Sequence, residues 1–92
     1  MTAAVRVVIE GRVQGVGFRY WLIERAGGLG LDGWVRNRHD GAVEAVFAGP
    51  ADAVAEMLRH CHDGPAFARV TDVHEQPERG AIEAGFNALP TA

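Results

Sequence analysis

Two side chains in this sequence are of the kind that handles a phosphoryl group, Arg19 and Asn37. Arg19 closes the stretch Gly11-Arg12-Val13-Gln14-Gly15-Val16-Gly17-Phe18-Arg19. Glycines at 11, 15 and 17 free that backbone to curl, so that successive N–H groups can point into one hollow. A helix pattern begins near Phe18, and its positive N-terminal end faces the same hollow. In the first turn, Arg19 brings a planar fork that meets phosphate oxygens two at a time. The backbone of Gln14, Gly15, Val16, Gly17 and Phe18, the helix end and Arg19 thus converge on an anion of phosphate size. Spacing alone fits a glycine-rich turn with a surface arginine equally well. Asn37 offers an acceptor and two donors, enough to hold a water against a phosphoryl group. The plainer alternative is an asparagine that bonds local backbone beside a turn.

The surrounding pattern predicts the elements that must position these two groups. Val5 to Glu10 is rich in β-branched residues and reads as a strand. Phe18, Trp21, Leu22, Ala26 and Leu29 recur at helical spacing. Leu31 to Arg38 and Ala42 to Ala48 read as strands joined by the hairpin turn His39-Asp40-Gly41. After Gly49-Pro50, residues Ala51 to Cys61 form a second helix with Val54, Met57, Leu58 and Cys61 on one stripe. A fourth strand is expected from Ala68 to Glu75, and a short edge strand is an option over Ala84 to Leu89. The order β-α-β-β-α-β predicts an α+β fold, the ferredoxin-like α/β sandwich, with two helices on one face of an antiparallel sheet. In that topology the far end of the second strand returns to the loop that opens the first helix, which brings Asn37 toward Arg19. Alternation sets Val35 and Asn37 on one face, and Trp34, Arg36 and Arg38 on the other.

Composition removes several chemistries. The 92 residues suit one domain spanning 1–92. All nine basic residues are arginine, and the chain has neither lysine nor serine. That excludes a serine nucleophile, a Schiff-base lysine and a lysine-bearing phosphate loop of the Walker type. A net charge of −3 without a basic cluster argues against nucleic acid as a partner. An RNA-binding sheet would need more aromatics than Phe47 on its third strand. The single Cys61 permits no internal disulfide and fits a reducing cytoplasm. The run Val5 to Glu10 is too short and too charged for a signal or membrane segment.

Three further motifs mimic function. Gly28-Leu29-Gly30-Leu31-Asp32-Gly33 matches a dinucleotide fingerprint, yet it leaves a helix and enters a strand, the reverse of what that site requires. His60-Cys61-His62-Asp63 has the composition of a metal cluster, but helical neighbours one or two apart point to different sides. His39 is read as an exposed turn histidine rather than a general base, and Arg12, Arg36 and Arg38 as sources of positive potential around the mouth.

Taken together, Gly11 through Arg19, then Ala26, Leu29, Gly30 and Leu31, then Gly33-Trp34-Val35-Arg36-Asn37 and Asp40-Gly41 closely resemble the acylphosphatase family. That pattern covers nearly half the chain without a gap. The resemblance implies hydrolysis of small acyl phosphates to a carboxylate and inorganic phosphate without metal or cofactor, and a monomer is the expectation for the chain. It further implies that Arg19 is the phosphate-binding arginine, that Asn37 orients the water, and that the backbone from Gln14 to Phe18 cradles the phosphate. The chain departs from the family pattern at Gly27-Gly28, at the polar His74-Glu75-Gln76, and at its closing segment Phe86 to Pro90.

Overall fold

A computed structural model describes residues 1–92. Its elements are β1 (Thr2–Arg12), α1 (Phe18–Gly28), β2 (Asp32–Asn37), β3 (Val43–Pro50), α2 (Ala51–Asp63), β4 (Arg69–Pro77) and β5 (Phe86–Ala88). Their order in the sheet is β4-β1-β3-β2-β5. β3 runs antiparallel to both β1 and β2, so β1 and β2 point the same way and end at the same edge. That shared edge is where the β1–α1 loop meets Asn37.

The core follows from the two periodicities. Val7 and Ile9 of β1, Val35 of β2, and Val43, Ala45 and Phe47 of β3 face the helices. Phe18, Leu22 and Ala26 of α1 and Val54, Met57 and Cys61 of α2 pack down on them. Trp21, Leu29 and Leu58, expected on the same stripes, are only partly buried at the rim. Burial of Phe47 on the helix side removes the one aromatic of β3 from any nucleic-acid surface. Burial also pushes the Cys61 thiol up to about 12, with the charge of Glu75 adding to the effect.

Two expectations need correction. β1 continues past Glu10 through a bulge, and Gly11 pairs with β4 instead of opening the hollow. Its φ of +125° and the approach of the Arg69 carbonyl leave no room for a Cβ. The sheet, moreover, is mixed: β5 forms within the expected segment and pairs parallel with β2. Phe86 stacks on Phe47 with centroids 5.6 Å apart, which anchors this edge to the core. Beyond β5 the tail keeps following β2, with Leu89 N donating to Val35 O at 2.9 Å and Ala92 N to Asn37 O at 3.0 Å.

On the face away from the helices lies a buried charge cluster that alternation alone did not announce. Glu44 of β3 is 2% exposed. Its carboxylate accepts from Arg6 Nη1 and Arg36 Nε, each at 2.8 Å. Arg36 also covers the Trp34 ring at 4.9 Å. Desolvation raises the carboxyl pKa, but the hydrogen bonds and charges of Arg36 and Arg6 outweigh it and hold Glu44 below the usual carboxylate range. A depressed carboxyl pKa contributes stability above the unfolded value, and that stability is lost as pH falls through the folded one. Glu44→Gln is therefore expected to cost about 1–2 kcal/mol at pH 7, less than a fully buried pair because both arginines reach solvent. Urea midpoints should show the gap between the two proteins closing below about pH 4.

α1 ends on a weakness. Gly27 is helical, without positive φ, and nothing lies within 4 Å of where its Cβ would stand. Gly27→Ala should therefore raise stability by about 0.5–1 kcal/mol, read as a higher denaturation midpoint with turnover preserved.

Candidate active site

The loop between β1 and α1 runs from Val13 to Gly17, with Gly15 and Gly17 at φ +74° and +79°. No atom crowds a Cβ at either position, so backbone conformation rather than space selects glycine there. No backbone N–H from Gln14 to Tyr20 finds an acceptor within the protein; the first to do so is Trp21 N, bonded to Gly17 O at 3.0 Å. A run of donors at a helix start is a natural seat for an anion.

What holds the loop in place is Gln14. Its Nε2 donates to Arg38 O at 2.7 Å and to Ala42 O at 2.9 Å, which ties the loop to the β2–β3 hairpin. The side chain of Gln14 is thus committed to positioning, and its backbone is the part left for an anion. Val16 turns its side chain toward the core and does not line the cleft.

A cleft of about 310 Å³ opens at this loop, and its polar wall is Gln14, Gly15, Gly17, Arg19 and Asn37. The structure therefore brings Arg19 and Asn37, eighteen positions apart in sequence, to one concavity. Arg19 is exposed and forms no ion pair or hydrogen bond within the protein. Its setting is unfavourable in isolation, because a cation in the first turn faces the positive end of the helix and no acidic residue there offsets it. An anion in the cleft removes that conflict. Asn37 shares its face with the buried Val35, and its backbone is held by β3 on one side and by Ala92 on the other.

Arg36 and Arg38 do not reach this mouth. The first pairs with Glu44 on the opposite face, and the second bonds Asp40 Oδ2 at 3.0 Å. Arg12 is exposed at the end of β1 and does not line the cleft. His39 is exposed too, outside the cleft, with its backbone N–H on Ala92 O. In the His60–Asp63 run Cys61 is turned into the core, and no three His, Cys, Asp or Glu side chains converge as a cation would need. The Gly28–Gly33 segment passes from the end of α1 into β2, as its position in the pattern required.

Apart from Phe18, one half of the cleft was not foreseen. Val13, Phe18, Tyr20, Ile23 and Ala88 form its other wall, and Ala88 comes from β5. The signal available was Ile23, four positions after Arg19, where helical spacing places it beside that residue, and Tyr20, three positions before Ile23.

Comparison with known proteins shows which family this fold and sequence are similar to. The family model for acylphosphatase matches residues 5–88. An acylphosphatase of Nitrobacter winogradskyi is 61% identical over 92 residues, covering 94% of this chain and 93% of the relative. One from Nitrobacter hamburgensis is 55% identical with the same coverage. The crystal structure of acylphosphatase from Bacillus subtilis superposes with a TM-score of 0.89 at 37% identity, covering 97% of this chain and 99% of that one. No helix is long and apolar enough to cross a membrane.

Proposed function

The chain belongs to the acylphosphatase family, and we propose that the cleft between Arg19 and Asn37 is where it performs that family's reaction. The reaction is the hydrolysis of an acyl phosphate to a carboxylate and inorganic phosphate. Arg19 and the backbone N–H groups from Gln14 to Phe18 hold the equatorial phosphoryl oxygens, and Asn37 holds the attacking water in line with the bond that breaks. The observation that supports this most directly is the meeting of an unpaired guanidinium, a run of unbonded amides and one carboxamide in a single cleft.

The chemistry asks for little more. Water oxygen bonds to phosphorus while the phosphorus–acyl oxygen bond breaks, and the acyl group leaves as a carboxylate of low pKa that needs no acid to expel it. The water's proton passes to a phosphoryl oxygen. A loose phosphoryl-transfer transition state is stabilised chiefly by fixed charge around the equatorial oxygens and by an aligned nucleophile. The same reading takes residues 1–92 as one domain, on the strength of its one continuous core, acting as a monomer without metal, and its lone free Cys61 accords with a reducing cytoplasm.

Neither a guanidinium nor a carboxamide titrates between about pH 5 and 8. Release of phosphate from benzoyl phosphate should therefore be nearly independent of pH across that window. A step near the imidazole range that vanishes in His39→Ala would make His39 a base and overturn the assignment of roles.

A further inference from the structure

Accepting Arg19 and Asn37 as the phosphoryl end, we propose that Tyr20, Ile23 and Ala88 form the seat of the acyl group and select uncharged, aromatic or extended apolar acyl phosphates. The phosphoryl group occupies the polar wall of the cleft, so whatever is attached to it must lie along the apolar one. Val13 and Phe18 are buried and form only its floor. Tyr20 is different: the residue is 74% exposed, a large hydrophobic side chain left in water at the mouth of the site. Its hydroxyl makes no hydrogen bond within the protein that would explain the placement.

Helical spacing sets Tyr20, in the first turn of α1, and Ile23, in the next, as neighbours on one face of the helix. Across from them stands Ala88, brought there by the parallel pairing of β5 with β2. With only a methyl at Ala88, the cleft of about 310 Å³ keeps room beside Tyr20 and Ile23 for a flat ring or an alkyl chain. Charge sharpens the choice. Arg19 is the only charged residue lining the cleft, and it is engaged by the phosphoryl group. A second anionic group on the acyl moiety would find no partner and would be desolvated against Tyr20 and Ile23.

The test compares kcat/KM for benzoyl, acetyl and succinyl phosphate in the unaltered protein, Tyr20→Ala and Tyr20→Phe, with the inhibition constant of inorganic phosphate measured alongside. Tyr20→Ala should lower the benzoyl-to-acetyl ratio of kcat/KM by about three- to tenfold, the worth of one aromatic contact. Tyr20→Phe should keep the ratio, since the ring and not the hydroxyl makes the contact. Succinyl phosphate should be the poorest of the three in the unaltered protein. A ratio that Tyr20→Ala leaves unmoved, or a benzoyl loss matched by an equal loss of phosphate affinity, would overturn the acyl seat while leaving the phosphoryl end standing. Failure of the phosphoryl end itself shows separately, as Asn37→Ala turning over benzoyl and acetyl phosphate at the unaltered rate.

Discussion

Asn37→Ala is expected to keep its affinity for inorganic phosphate while kcat falls by about 10²–10³. The division follows from where the carboxamide stands and what it lacks. Asn37 carries no charge and gives a bound anion little compared with Arg19 and the loop amides. Its donor and acceptor matter for a water that must lie opposite the leaving group, an arrangement that gains value only as the phosphorus–oxygen bond breaks. The variant should fold, because the backbone at this position is held independently of the side chain, in register with Val43 and bonded to Ala92 N. Asn37→Asp should be at least as poor, since a carboxylate facing phosphoryl oxygens adds repulsion to the loss of donors. The measurement pairs kcat with a phosphate inhibition constant, and circular dichroism confirms folding. Loss of phosphate affinity as severe as that of an Arg19 variant would show that Asn37 binds the anion rather than the water.

Arg19→Lys should lose both properties together, with phosphate affinity and kcat/KM each lowered by at least about tenfold to a hundredfold. Charge is retained in this variant, so charge alone cannot rescue it. A guanidinium meets two oxygens through parallel N–H groups in a fixed plane, whereas an ammonium is a compact point charge on a flexible stem. The position tolerates the exchange structurally: Arg19 is exposed and has no internal partner to abandon. Stability should even be indifferent to its removal, because a first-turn cation opposes the helix dipole. An Arg19→Lys protein that binds phosphate as well as the unaltered one would mean that the loop amides carry the anion by themselves.

How far the sequence reached is clearest at β2. Alternation placed Val35 and Asn37 on one face and Trp34, Arg36 and Arg38 on the other, and the register of β2 against β3 agrees. The start of α1 at Phe18, the helical state of Gly27, and the hairpin between β2 and β3 were equally readable. All of these are local: period, turn chemistry and the punctuation of glycine and proline are written in neighbouring residues. The motifs Gly11 through Arg19 and Gly33 to Asn37 carried the family resemblance, and the strand order brings the ends of β1 and β2 that bear them to one edge.

What the sequence could not supply were pairings between distant positions, since nothing local encodes which strand approaches which. Gly11 looked like part of the hollow until the carbonyl of Arg69 was found against it. Arg36 looked like a contributor to the mouth until Glu44, buried beneath it, claimed its charge. Gln14 was read only through its backbone, whereas its side chain spans 24 and 28 positions to fasten the loop onto the hairpin. The apolar wall depends on Ala88, whose place was set only when Phe86 stacked on Phe47 and drew the last strand parallel to β2. By itself the sequence determined the elements, the faces they present and the two side chains, Arg19 and Asn37, that the fold brings to one cleft. Tertiary structure decided the apolar wall of the cleft and the scaffold that fixes the loop, because both arise from contacts that exist only once the sheet has chosen its order and register.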